Sequence, residues 1–120
     1  MTKKANINNK KDTSKSESRV NPDTLQDALR NLKSRFATND IKSMKQIAGA
    51  YATGMPFALG MSYDTMIKRF HNPELLTLGD ILTTADITET EVDIVIKVAI
   101  AEAKRNHVKR DITNLLPDEK

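Results

Sequence analysis

Short runs of helical apolar spacing, each cut off by residues that end a helix, limit more than anything else what this chain can fold into. Leu25, Leu29, Leu32 and Phe36 recur at spacings of four, three and four, which places them on one face of a helix over residues 22 to 37. Asn21 followed by Pro22 reads as a cap with a first-turn proline, and Thr38-Asn39-Asp40 breaks the pattern. Met44, Ile47, Ala48 and Tyr51 form the stripe of a second helix, weakened by Gly49 and ended by Gly54. Met55-Pro56-Phe57-Ala58-Leu59 is a short third segment stopped at Gly60, and its proline is tolerated because a first-turn N–H has no helical partner to lose.

Beyond Gly60 the same alternation of stripe and stop continues. Ser62 is a cap, Asp64 suits the positive end of the helix dipole, and Met66, Ile67 and Phe70 make an inner face before the stop at His71-Asn72-Pro73. Thr77 opens a further helix with Leu78, Ile81, Leu82 and Ala85 predicted to point inward, and Thr88-Glu89-Thr90-Glu91 reads as a capping box for the next. In residues 92 to 103, Val92, Ile94, Ile96, Val98 and Ile100 alternate and are β-branched, a strand pattern. The capping box, the continuation Ala101-Glu102-Ala103-Lys104 and the absence of a partner strand favour a helix. With Val95, Ile96 and Ala99 turned to the domain, Ile94, Val98 and Ile100 are left over, which suggests a homodimer contact; the alternative is that the N-terminal helix packs over them. Lys104, Arg105, His107, Lys109 and Arg110 form a basic, exposed ending.

A chain of 120 residues is one domain's worth of material, and with 4% aromatic residues its core is built from Leu, Ile, Val, Met and Ala. The methionines Met44, Met55, Met61 and Met66 stand at core-compatible positions. Zero Cys excludes a disulfide framework, a thiolate metal site and a Cys nucleophile. No apolar stretch reaches the ~20 residues a bilayer crossing needs, and the N-terminus has no hydrophobic signal core, so no membrane association and a cytoplasmic location are expected. The net charge of +3 is unevenly spread. Residues 1–20 hold six bases against two acids, a net of +4, and the remainder holds 13 bases against 14 acids, a net of −1. That first segment, Lys, Asn and Ser with two isolated aliphatics, cannot bury enough apolar surface to offset the entropy of ordering and is expected to be a disordered basic arm able to add phosphate contacts. No phosphate loop, metal-binding or nucleophile motif occurs, and His71 and His107 stand far apart, so neither an enzyme, a cofactor nor a small-molecule substrate is expected.

The segment Ala58-Leu59-Gly60-Met61-Ser62-Tyr63-Asp64-Thr65-Met66-Ile67-Lys68-Arg69-Phe70, followed by Asn72-Pro73 and then Leu76-Thr77-Leu78 with Ile81, Leu82 and Ala85, resembles the helix-turn-helix of the lambda-repressor-like (Cro and cI type) DNA-binding domains. The resemblance covers about residues 41 to 101. Pro56 departs from it, since the family usually has a small residue inside the helix there; the first helix of the motif must be shortened. What the resemblance implies is an all-α bundle of about five helices, here with an extra N-terminal helix. Its parts would be the arm at 1–20, a leading amphipathic helix at 21–38, the helix-turn-helix domain at 39–104 and a basic, then polar, tail at 105–120. It further implies that Ser62, Tyr63, Asp64, Thr65 and Lys68 face base edges in a major groove. Lys42, Ser43, Lys45, Thr53, Arg69, His71 and Asn72 would then lie toward the sugar–phosphate backbone.

The expected function is sequence-specific binding of double-stranded DNA by a homodimeric transcriptional regulator. The electrostatics pull the other way: residues 39 to 87 hold four bases against five acids, a thin footprint for a phosphate backbone. The rival expectation is a helical protein–protein adaptor, antitoxin-like or accessory to a mobile element, that does not read DNA.

Overall fold

The structure, a computed structural model, describes residues 19–117, and among them the chain is all-α, with six helices and no strand. They are α1 (Pro22–Ala37), α2 (Lys45–Ala48), α3 (Met55–Leu59), α4 (Tyr63–His71), α5 (Leu78–Ile87) and α6 (Val92–Asn106). Single 3-10 turns lie at Pro73–Leu75 and Thr113–Leu115. The basic arm expected over residues 1–20 lies outside the described residues, apart from Arg19 and Val20. None of the helices is long and apolar enough to cross a membrane.

Three of the helices, α1, α4 and α5, start on a side-chain cap. The Asn21 side chain accepts from the backbone N–H groups of Asp23 and Thr24 at 2.9 and 3.1 Å, as its position before Pro22 predicts. Ser62 accepts from Thr65 N at 3.1 Å. Thr77 and Asp80 form a reciprocal capping box, with both bonds at 3.0 Å. The box predicted at Thr88–Glu91 does not form. Thr88 ends α5 instead, its hydroxyl donating to Thr84 O at 2.7 Å, while α6 starts at Glu91 with no side-chain cap. The alternating β-branched run is nonetheless helical, with Val95 and Ala99 buried at a spacing of four.

Three helices end in the same way. The residues with positive φ are Asn39 (65°), Gly60 (74°) and Glu89 (51°), just past α1, α3 and α5. In each case that residue's N–H and the next one's reach back to the helix: Asn39 to Phe36 and Asp40 to Arg35, Gly60 to Phe57 and Met61 to Pro56, Glu89 to Asp86 and Thr90 to Ala85. This paired reach satisfies carbonyls that would otherwise be orphaned and turns the chain sharply. Glu89 is held there by a second interaction, a 2.7 Å bond from Lys33 Nζ on α1. That bond, then the lysine's charge, keeps the Glu89 carboxyl below its ordinary range.

The core draws on every helix: Leu32 and Phe36 of α1, Ile41 and Met44 of the following loop, Ile47, Met55, Leu59, Met66, Phe70, Ile81, Val95 and Ala99. Each such large side chain contributes about 1.5–3 kcal/mol by leaving water. Because Leu32 and Phe36 are buried in that cluster, α1 is part of the core and not an appendage to it. Three of the methionines, Met44, Met55 and Met66, are fully buried, where their unbranched side chains fill gaps between short helices.

Two expectations fail in detail. The second helix is a single turn, ending at Gly49 and not at Gly54. The chain then loops so that the Tyr51 ring lies against Gly54, where a β-carbon would stand 2.6 Å from it, and Tyr51 Oη accepts from Asn21 N at 2.9 Å. On α5, Ile81 and Ala85 point inward as predicted, but Leu78 and Leu82 are 66% and 52% exposed. The helix is apolar on more of its circumference than the core covers.

Candidate nucleic-acid interface

The turn at Gly60 joins α3 to α4, and its left-handed φ of 74° is open to glycine without strain. Met66 and Phe70, both fully buried, lock one face of α4 into the core. The opposite face, and the end of the helix that carries the positive dipole, are turned to solvent. Tyr63 is 52% exposed, and Ser62, Asp64 and Lys68 are exposed beside it. Asp64 and Lys68 stand four apart, one turn above the other on the same face.

The hydroxyls at this end are partly engaged. Ser62 Oγ, besides capping the helix, donates to Thr65 Oγ1 at 2.9 Å, and Thr65 is half-buried. Both residues therefore shape the helix end, and Tyr63, Asp64 and Lys68 are its outward side chains.

Beside this end lies a groove of about 540 Å³ whose lining includes Arg19, Thr53, Phe57, Ser62 and Tyr63. Thr53 thus lies next to the start of α4. Arg19 and Phe57 were not singled out from the sequence. Arg19, the first described residue, lies at the same edge as the start of α4. His71 and Asn72 are exposed at the far end of α4, and Lys45 is exposed on α2, which packs against α4.

Two residues expected toward phosphate are bonded elsewhere, and a third lines a different groove. Arg69, 35% exposed along its side chain, donates from Nη1 to both oxygens of the buried Asp80 at 3.1 and 3.2 Å. It ties α4 to the start of α5 and is not a free cation. Ser43 Oγ donates to Glu102 Oε2 at 2.9 Å, and Met44 N donates to Glu102 Oε1 at 2.8 Å. Glu102 is buried on α6 and anchors the start of α2. Lys42 lines a separate groove of about 460 Å³ between α1 and α6, together with Lys97 and Arg105. Among the described residues that leaves Lys68, Lys45 and Arg19 as the outward cations around α4.

The set proposed from the sequence for a dimer contact is also divided. Ile94 and Val98 line the groove between α1 and α6 with Phe36 and Ile41, so the C-terminal end of α1 sits beside them. Ile100 lies on another side of α6, near Glu74, Ala103 and His107. No single face carries all three.

Among the described residues there is no cluster of three or more His, Cys, Asp or Glu positioned to hold a metal ion. No family model, curated protein or solved structure matches this chain.

Proposed function

We propose that the protein binds double-stranded DNA in a sequence-specific manner, as a transcriptional regulator of lambda-repressor-like architecture in which α2 to α6 form the five-helix bundle and α4 enters the major groove. The observation that carries this reading is the contrast within α4: Met66 and Phe70 are fully buried while Tyr63, Asp64 and Lys68 project, exposed, from a helix start that no other described residue buries. A major groove about 12 Å wide admits one helix, and a projecting N-terminus presents both side chains and unpaired backbone donors to it. In this pose Tyr63, Asp64 and Lys68 meet base edges, with Ser62 and Thr65 holding the helix end, and Asp64 accepts from a cytosine amino group. Lys45, Thr53, His71, Asn72 and Arg19 lie toward phosphates. The basic arm, continuing from Arg19, supplies the salt-dependent share of the affinity that this nearly neutral body lacks.

The test is selection of bound duplexes from a random library, followed by titration of the enriched site with the full chain and with Y63A and K68A variants. Both side chains are outside the core, so melting should not change. Each variant is expected to bind the enriched site about tenfold or more weakly, the range of a lost base contact. Absence of any enriched sequence, or variants that bind it as well as the parent, would take α4 out of the interface.

A second reading, a helical adaptor that binds another protein, is supported by the exposed leucines of α5. It requires a partner whose binding survives removal of Tyr63 and Lys68.

A further inference from the structure

We propose that two copies of this chain associate by exchanging their C-terminal tails, the aliphatic residues of each tail packing against the leucine face of α5 in the other copy. The tail leaves the body at the end of α6, and every described residue from His107 to Pro117 is exposed. Val108 is 84% and Leu115 67% exposed, with Ile112 and Leu116 also in solvent. The tail is not shapeless: Asp111 Oδ1 accepts from the backbone N–H and the hydroxyl of Thr113 at 3.0 and 2.7 Å, which sets the turn that carries Leu115 and Leu116. At its root, His107 Nδ1 contacts the Glu74 carboxylate. An ordered aliphatic segment with nothing to pack on is half of an interface.

The other half is on α5. Leu78 and Leu82 are four apart on one helix face, and Leu75 is exposed in the turn just before it. Charge selects this surface as the acceptor. Residues 73 to 96 contain six acids and no Lys or Arg. Two of these acids, Asp80 and Glu89, are paired with Arg69 and Lys33, and Glu74 meets His107 at the root of the tail; Asp86, Glu91 and Asp93 remain exposed on α5 and at the start of α6. The tail and its root, residues 104 to 120, carry five bases, Lys104, Arg105, Lys109, Arg110 and Lys120, against three acids, Asp111, Asp118 and Glu119, a net of +2. The other apolar groove, between α1 and α6, is lined by Lys42, Lys97 and Arg105 with no acid, and repels such a segment. Within one copy the tail's aliphatics and the α5 leucines are all exposed and so do not cover one another, and the partner that offers a matching tail and a matching face at once is a second copy. The contact made twice closes on itself as a two-fold dimer. This inference stands on α5 and the tail alone, and does not rest on the DNA reading of α4.

The experiment exploits the absence of cysteine from the sequence. Light scattering of the full chain is expected to give twice the 13.4 kDa chain mass. Replacing both tail leucines (L115S with L116S) or both α5 leucines (L78S with L82S) should give monomers with unchanged helicity, since all four side chains are exposed. An equal mixture of these two double variants retains one intact tail and one intact face, and should regain a dimer that neither forms alone. Under oxidising conditions L82C and L116C chains mixed together should give a cross-linked heterodimer in preference to either homodimer. The proposal is overturned by a full chain that stays monomeric at high concentration, by serine variants that still dimerise, by a mixture that stays monomeric, or by an intramolecular disulfide in a chain carrying both cysteines.

Discussion

α4 and α5 are neighbours in sequence, nearly equal in length at nine and ten residues, and each starts on a hydroxyl cap. Their outer faces nonetheless differ completely. α4 buries Met66 and Phe70 and shows water a tyrosine, an aspartate and a lysine; α5 buries Ile81 and Ala85 and shows water two leucines. A polar outer face is the ordinary condition of a surface helix, and on α4 it is the projecting position of the helix start that makes it a candidate reading surface. Large apolar side chains on an outer face need a partner, and on α5 the acid-rich surroundings narrow which one. The two helices thus expose two separable surfaces, one polar and one apolar, and the two proposals assign them to different partners.

The largest test of that separation acts on the link between them. Asp80 lies buried where α4 meets α5, accepting from Arg69 and from Thr77 N together. D80A removes the capping box of α5 and leaves the Arg69 guanidinium without its carboxylate, so a loss of about 2–3 kcal/mol is expected. In a domain near 100 residues that is a fall in Tm of roughly 10 °C or more. D86A, at an exposed position on the same helix, should stay within about 0.5 kcal/mol of the parent. A D80A protein that melts like the parent would mean that α4 and α5 are positioned independently.

A smaller effect is expected at the turn that lets α4 project. Around a β-carbon added at Gly60 there is nothing within 4 Å, so no clash accompanies substitution. Only the left-handed φ of 74° is at stake, and G60A should lower stability by about 1 kcal/mol. G60N should lose less, because Asn tolerates this region, as Asn39 does at the end of α1. Equal melting of the parent and both variants, read by circular dichroism, would show that the α3–α4 turn relaxes to another geometry.

These local features were legible in the sequence because the interactions that create them are local. The Asn21-Pro22 start, the glycine stop at Gly60, the Ser62 cap and the Thr77 start each depend on partners within about one turn of helix. The burial of Met66, Ile81 and Ala85 followed from spacing. What was not legible lies in contacts between distant segments. Glu102, in a stretch that reads as an ordinary solvent-facing helix end, is buried because its carboxylate meets Ser43 and Met44, 59 and 58 residues away. Arg69 looked like a free cation because its partner, 11 residues on, is brought near only by the bend at Asn72 and Pro73. The outward leucines of α5 were assigned to the core because an apolar side chain signals burial without saying whether its own chain or another supplies it. The capping box was misplaced by one helix: Thr88-x-x-Glu91 fits the pattern, but the Thr88 hydroxyl is already committed to Thr84 O.

The smallest effect expected is also the one most specific in its pH dependence. Lys33 of α1 and Glu89 of the turn after α5 form a 2.7 Å ion pair on the surface, linking the N-terminal helix to the end of the leucine-faced one. The hydrogen bond from Lys33, and then its charge, hold the Glu89 carboxyl below its ordinary value in the folded protein. In the unfolded chain that lysine is distant and the carboxyl titrates normally. The folded state therefore binds the proton less readily, and the pair's contribution is fully present above the unfolded glutamate pKa and is lost as pH falls through the lower, folded one. At neutral pH the K33M variant should melt slightly below the parent, and the difference should shrink in acid once Glu89 is protonated in both. An NMR titration of the Glu89 side chain gives the same comparison directly, with its midpoint moving up in K33M. Because both side chains are mostly exposed, added salt should weaken the difference as well. A midpoint that does not move in K33M would show that the pair does not persist in solution, and that α1 is held to the body by its buried Leu32 and Phe36 without electrostatic help.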